Sequence, residues 1–444
     1  MALKRRTLNP ERLTLPMKKL LIVQVAGLGR NVVSRHPIDG MEFRFMEPVF
    51  PAVTCTVQAS FRTGLLPCDH GMVANGLFFR DLRKPMFWEQ ASSLVSGERI
   101  WEKARRAGRR VGMMFWQQSL GEQVDLVLSP KPVHKHGGGM IQDCYSQPHD
   151  LYAELCAEIG SRFNLMHYWG PMASRKSSDW IVAALSAVLR RADAPDLLLG
   201  YLPHLDYDLQ RHGPKGDRAR QAMAVLGEQL SALRTAAEAA GYDWLFFGDY
   251  AVRNVSGEAV LPNQALRRAG LMQVRKVGRK TYPDFFGSRA VAVVDHQVAH
   301  VYCTDQVAAQ KAREVLERVE GVDQVAGAEA QAEWGVDHPR AGQLLLVAEE
   351  GRWFGYPWWE ERREAPDYAT HVDIHNKPGY DPCELFFGWP PPSVSLDTRR
   401  IHGSHGRSGR GTEAAWTSSL QWDEEPGTLL DLSHRVREWI SSTS

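Results

Sequence analysis

A short, almost wholly apolar run near the start of the chain, Leu20-Leu-Ile-Val-Gln-Val25, constrains the fold more than any other segment. Its β-branched, apolar composition and its length are typical of a strand that is buried on both faces of a sheet. Comparable runs recur at 196–202, 244–248 and 342–348, and helical patterns at 99–107 and 179–189 lie between them. This alternation predicts an α/β fold, a doubly wound sheet with helices on both faces. Chemistry in such sheets gathers beyond the carboxyl ends of the strands, here after Val25, Leu202 and Gly248.

The pattern changes from Arg289 to about Trp353. One long apolar strand over Val291–Tyr302, a helix over 308–318 and shorter strands indicate a small inserted α+β subdomain. The predicted organisation is an N-terminal extension over 1–16, a core over 17–288 and 354–444, and the insert over 289–353. After Arg407 a Gly/Ser/Arg-rich stretch predicts a flexible loop, followed by a closing helix over 430–440.

Composition excludes several classes of function. The 444 residues are 43% hydrophobic and 24% charged, which suffices for a large core, and the formal net charge of +1 gives no basis for binding a nucleic acid polymer or an anionic membrane. No apolar run approaches the ~20 residues that cross a bilayer, and the basic start lacks a secretory apolar stretch. Six cysteines without a Cys-x-x-Cys pair fit reduced thiols. A cytoplasmic protein is expected, of unknown oligomeric state.

The segment from Thr54 to Asn75 carries the strongest functional signal. Thr54 stands ten residues before Gly64, and His70-Gly71 and Asn75 follow. This order resembles the nucleophile loop of the type I phosphodiesterase/nucleotide pyrophosphatase branch of the alkaline phosphatase superfamily. The resemblance implies that Thr54 is a catalytic nucleophile at a helix start, where free N–H groups can bind a phosphoryl oxygen, and that Asn75 helps to hold the oxyanion. The structural alternative for Thr54 is a plain N-cap.

The same resemblance implies two divalent metals, usually zinc, beside the nucleophile. Three of the six expected ligands are present: Asp206 and His405, which belong to one inherited site, and Asp249, which belongs to the other. Three positions depart from the family pattern, since Ala26, Gln210 and Tyr250 stand where an Asp and two His are expected. We therefore expect at most one tightly bound divalent metal, with zinc as the favoured ion.

A surviving ion needs a third protein ligand. His204 shares a face with Asp206 if that segment is extended, and His296 and His300 share a face if their segment is one strand. The alternative for each of these three histidines is a hydrogen-bonded structural residue. Gln210 and Tyr250 can instead donate hydrogen bonds to a phosphoryl oxygen that metal formerly neutralised.

The leading hypothesis is a metal-dependent hydrolase of phosphodiester or pyrophosphate bonds in a small-molecule phosphoester. Two alternatives stay open. One is a catalytically silent family member that binds a phosphorylated metabolite or a protein partner. The other is a phosphotransferase or lyase-like enzyme with one metal or none.

Overall fold

A computed structural model describes residues 19–137 and 139–442, so the predicted N-terminal extension lies outside the described residues. An eight-stranded sheet forms the centre of the fold. In chain order its strands are β1 (Lys19–Val25), β2 (Arg44–Met46), β3 (Val111–Met114), β4 (Leu126–Pro130), β5 (Cys144–Gln147), β6 (Leu197–Leu202), β7 (Tyr242–Gly248) and β8 (Ala414–Ser418). Their spatial order across the sheet is β2-β8-β7-β1-β6-β3-β4-β5.

The three strands predicted from their apolar runs lie side by side and parallel at the middle of this sheet. Val25 in β1 pairs with Leu202 in β6 and with Gly248 in β7, so the three strands end level with one another. Five shorter strands complete the sheet, and β2, β5 and β8 each pair antiparallel with a neighbour. The loops after Val25, Leu202 and Gly248 therefore meet at one edge, as predicted.

Helices flank the sheet and pack against it to form the main hydrophobic core. The longer ones are α1 (Thr54–Thr63), α2 (Leu151–Ile159), α3 (Arg175–Leu189), α4 (His204–His212), α5 (Asp217–Ala239) and α6 (Leu429–Ser441). The ring of Phe61 in α1 stacks on that of Phe247 in β7, with centroids 4.6 Å apart, which fixes α1 above the strand ends. None of the described helices has the length and apolar character needed to span a membrane.

A second sheet of four antiparallel strands is built from 290–348. Its strands, in spatial order, are Ala290–Asp295, Val298–Cys303, Leu344–Ala348 and Val322–Ala326, and the helix Gln306–Leu316 packs on it. The core of this sheet also takes in Leu266 and Trp358, which lie outside the predicted limits of the insert. The division into core and insert stays a prediction.

The structure corrects three local predictions. The run Val291–Tyr302 is not one strand but a hairpin, which turns at His296 and Gln297. The segment from His204 is helical rather than extended. The stretch after Arg407 contains the strand β8 as well as a loop. The sequence did not predict this strand, because a short strand among polar residues gives little apolar signal.

Candidate active site

Thr54 is the first residue of α1 rather than its N-cap. Val53 occupies the cap position, and its side chain makes no capping hydrogen bond. The Thr54 hydroxyl instead lies 3.3 Å from Asp249 Oδ2 and 3.4 Å from the Tyr250 hydroxyl. The plain N-cap interpretation is therefore wrong, since the hydroxyl is directed to the strand ends while its backbone lies at the positive end of the helix dipole.

Asn75 is bound on both sides of its amide. Its Oδ1 accepts a hydrogen bond from the Cys55 amide at 2.9 Å, which ties it to the first turn of α1. Its Nδ2 and its backbone N–H donate to the two oxygens of Asp295, at 3.1 and 2.7 Å. Asp295 thus fixes Asn75 next to Thr54. Sequence reasoning did not identify Asp295 as a site residue, because its strand of the hairpin reads as part of an apolar run.

Both carboxyl oxygens of Asp249 accept hydrogen bonds from the chain itself. The Gly27 amide donates to Oδ1 at 2.9 Å, and Gln24 Nε2 donates to Oδ2 at 3.1 Å, beside the Thr54 hydroxyl. Gly27 has φ +75°, a left-handed conformation that glycine adopts without strain and that turns its N–H toward the carboxylate. Ala26 offers only a methyl group. The inherited site that would use Ala26, Asp249 and Tyr250 therefore does not fit a metal ion.

The other inherited site keeps two of its three ligand residues, Asp206 and His405, and has Gln210 in place of a histidine. Gln210 donates its amide hydrogen to Asp206 Oδ2, and its Oε1 accepts from the Tyr380 hydroxyl at 2.9 Å. Both ends of the Gln210 amide are therefore engaged, and Nε2 keeps one further hydrogen for a phosphoryl oxygen. Tyr250 stacks on the ring of His405, with centroids 3.4 Å apart, and its hydroxyl stays close to Thr54.

Two atoms of this site that could bind a metal have no hydrogen-bond partner. Asp206 Oδ1 and His405 Nε2 are buried, neither makes a hydrogen bond, and they lie 4.0 Å apart. His405 Nδ1–H donates to the Ala52 carbonyl at 2.8 Å, which leaves the lone pair on Nε2. A carboxylate oxygen and a neutral imidazole nitrogen are zinc ligands, so these two atoms would supply two of the three protein ligands that a catalytic zinc site needs.

The three candidate imidazoles are in different places. His204 packs between α3 and α5, near Ser178 and Ala222, and His300 has both ring nitrogens engaged by the Val73 carbonyl and the Gly342 amide. His300 therefore has no ring nitrogen left for a metal ion. His296 reaches the site, where its ring centroid lies 3.8 Å from that of His405. The predicted pairing of His296 with His300 on one strand face is wrong because His296 occupies the hairpin turn.

Three buried carboxyl groups lie in this site. Burial is the main cause that raises the pKa of Asp206 to about 7, of Asp249 to about 8 and of Asp295 to about 6. A bound divalent cation would favour the ionised forms. Within the described parts of the chain, however, no group of three His, Cys, Asp or Glu side chains is already arranged as a metal site.

The fold, a mixed sheet flanked by helices, is shared with solved structures that have little sequence identity to this chain. Phosphonoacetate hydrolase of Sinorhizobium meliloti, in complex with phosphonoformate, is similar with a TM-score of 0.63 and 15% identity, over 97% of this chain and 96% of that chain. Murine ectonucleotide pyrophosphatase/phosphodiesterase 5, as an inactive variant in complex with AMP, is similar with a TM-score of 0.62 and 14% identity, over 96% of both chains. The predicted fold class is confirmed.

Sequence comparison defines the family. The profile of the type I phosphodiesterase/nucleotide pyrophosphatase family matches residues 35–381, and the chain belongs to that family. A pyrophosphatase/phosphodiesterase of Schizosaccharomyces pombe is 25% identical over 206 residues, which cover 43% of this chain. The match spans 34% of that relative's length, about a third of it.

Proposed function

We propose that this protein hydrolyses a phosphodiester or pyrophosphate bond in a small-molecule phosphoester, with Thr54 as the nucleophile and at most one divalent metal. One observation carries the proposal. The Thr54 hydroxyl lies beside the Asp249 carboxyl, and the same strand edge presents the unpartnered pair Asp206 Oδ1 and His405 Nε2.

The residues divide the chemistry between them. The Thr54 oxygen attacks phosphorus, its proton passes to Asp249, which lies 3.3 Å away and accepts it in the ionised form favoured above its pKa of about 8, and the leaving group departs as the Thr54–phosphorus ester forms. Asn75 Nδ2 has a second hydrogen besides the one given to Asp295, and with the α1 amides it stabilises the oxyanion. Water then cleaves the ester and restores Thr54. A divalent ion held by Asp206 and His405 would supply positive charge to the phosphoryl oxygens.

The test is a comparison of Thr54→Ala with wild-type protein on bis-p-nitrophenyl phosphate and on a panel of dinucleotide pyrophosphates. We expect turnover to fall by at least about 10³-fold, the scale seen when a nucleophile is removed. Stability should change by less than about 1 kcal/mol, because the lost hydrogen bonds at 3.3 and 3.4 Å are long. Thr56→Ala is the matched control, since Thr56 is a buried threonine of the same helix whose hydroxyl has no partner. Undiminished turnover in Thr54→Ala would refute the assignment.

A second candidate, a catalytically silent member that binds a phosphorylated metabolite or a protein partner, has its own support. Asp249 already accepts hydrogen bonds from Gln24 and Gly27, the Tyr250 ring covers His405, and Thr54 is only 2% exposed. Absence of hydrolysis with every divalent metal, together with saturable binding of AMP, would favour this candidate.

A further inference from the structure

Tyr250 brings a hydroxyl group to the oxygen of Thr54. The two hydroxyl oxygens lie 3.4 Å apart, and each residue is only 2% exposed. The Thr54 hydroxyl donates its own hydrogen to Asp249 Oδ2, 3.3 Å away. Because a hydroxyl has one hydrogen, the contact between the two hydroxyls is then made by the hydrogen of Tyr250. The three groups form one chain of donors, from Tyr250 to Thr54 and from Thr54 to Asp249.

The position of the Tyr250 ring is fixed by its neighbours. The ring stacks on that of His405, with centroids 3.4 Å apart and planes inclined by 5°. His405 Nδ1 donates to the Ala52 carbonyl at 2.8 Å, and the Ala52 amide donates to the Gly406 carbonyl at 3.1 Å. The stack that places Tyr250 is therefore bound to the chain two residues before Thr54. A donor that is held in place before the reaction needs no reorganisation when charge develops on its acceptor.

The surroundings of Asp249 suit hydrogen-bond donors rather than an ion. Its Oδ1 accepts from the Gly27 amide, and its Oδ2 accepts from Gln24 Nε2 as well as from the Thr54 hydroxyl. Ala26, which stands where the family has an Asp, contributes only a methyl group. The groups that contact this carboxyl are therefore neutral donors.

We propose that Tyr250 is a catalytic residue, whose hydroxyl donates a hydrogen bond to the Thr54 oxygen when that oxygen carries negative charge. It thereby takes the place of the metal ion that the site of Ala26, Asp249 and Tyr250 does not fit. The inference rests on the function proposed above and adds a residue to it. The charge on the Thr54 oxygen appears twice, when Thr54 attacks phosphorus and when it leaves phosphorus as the ester is hydrolysed.

Tyr250 keeps its own proton through both steps. In the first step the Thr54 proton passes to Asp249 as the bond from the Thr54 oxygen to phosphorus forms. In the second step water bonds to phosphorus and the Thr54–phosphorus bond breaks. Thr54 then takes back the proton from Asp249, and the proton of the water leaves with the product. Because an alkoxide is a poor leaving group, the hydrogen bond from Tyr250 contributes most to the second step.

The first experiment uses Tyr250→Phe, which removes the hydroxyl and keeps the ring that stacks on His405. Turnover of bis-p-nitrophenyl phosphate should fall by about 10²- to 10³-fold, the loss expected for a donor to a developing negative charge. The matched control is Tyr242→Phe at the start of β7, where the lost hydrogen bond runs to the Pro195 carbonyl at 2.6 Å; its turnover should equal that of wild type.

Mass spectrometry of acid-quenched protein separates the two steps. The fraction of chains that carry the ester on Thr54 should be larger in Tyr250→Phe than in wild type, because p-nitrophenolate leaves phosphorus without assistance and Thr54 does not.

Orthovanadate provides a measurement without turnover, because it bonds to the nucleophile oxygen as a five-coordinate mimic of the transition state. Tyr250→Phe should bind it about 10- to 100-fold more weakly than wild type, the effect of one hydrogen bond to a charged group. A crystal structure of the wild-type adduct should place the Tyr250 oxygen within about 3 Å of the Thr54 oxygen. A separation above about 3.5 Å in that adduct, or unchanged turnover and vanadate affinity in Tyr250→Phe, would overturn the proposal.

The proposed function and this inference fail in different ways. Hydrolysis that requires Thr54 but survives Tyr250→Phe would overturn only the inference. A vanadate adduct that shows the Tyr250 contact, in a protein that hydrolyses no phosphoester, would overturn only the proposed function.

Discussion

Restoration of the family's ligand set, by Ala26→Asp, Gln210→His and Tyr250→His together, should make the protein dependent on zinc for its stability. Ala26 is fully buried at the end of β1, next to the loop that holds Asp249. A new carboxylate there has no counter-charge, and an uncompensated buried charge costs about 3–5 kcal/mol. Loss of the Tyr250 ring from His405 removes about 1 kcal/mol of stacking. In chelator, the free energy of unfolding should fall by about 4–6 kcal/mol.

Zinc should reverse this loss. An ion that binds only the folded state at a thousand times its Kd adds about 4 kcal/mol. The variant with two sites should gain about twice as much from zinc as the wild type with one. Urea unfolding with EDTA or with zinc measures the difference, and elemental analysis should show stoichiometry rising toward two, with higher phosphodiesterase activity.

The matched control replaces Ala26→Asp with Ala26→Asn and keeps the other two changes. Asn has almost the same shape but no charge, so the control should not acquire the second ion. Two results would refute the reasoning: equal stability of the restored variant and wild type in EDTA, or a zinc stoichiometry that stays at one.

Two further predictions concern Asn75 in the site and the buried ion pairs of Lys377. Asn75→Ala should slow hydrolysis by about 10²-fold, because it removes a hydrogen-bond donor to the oxyanion. Steady-state assays measure this rate, and an unchanged rate would contradict the assignment. Lys377→Met should lower the free energy of unfolding by about 3–5 kcal/mol, because it leaves the buried carboxylates of Asp381 and Glu384, now 2.7 and 2.6 Å from Nζ, without a counter-charge. Arg399→Ala, which breaks an exposed ion pair, is its control and should cost less than about 1 kcal/mol in the same urea titration.

The centre of the fold was predictable because its strands are buried on both faces. The β1, β6 and β7 runs are apolar at almost every position, and parallel strands of this kind leave a clear signal. The shorter strands β2 and β8 carry no such run, and they form because neighbouring strands offer them hydrogen-bond partners. Tertiary pairing of this kind is invisible in a local pattern.

The sequence predicted the positions of those residues that belong to a motif of known spacing. It did not predict those whose position depends on a turn of the backbone. The structure brings Thr54, Asp206, Asp249 and His405 to one edge, as expected from strand ends. The hairpin turn at His296 was missed, because a turn with φ +62° normally carries glycine, Asn or Asp rather than His. Recognition of that turn would have separated His296 from His300 and drawn attention to Asp295.

The most direct test of the account is the metal content of protein purified without chelators, measured together with hydrolysis of bis-p-nitrophenyl phosphate. We predict at most one divalent ion per chain and turnover that requires Thr54. Two zinc ions per chain would contradict the conclusion that Ala26, Gln210 and Tyr250 have closed one inherited site. Protein that holds no ion, and that cleaves no phosphoester with any added metal, would contradict the proposed hydrolysis and support the silent binder.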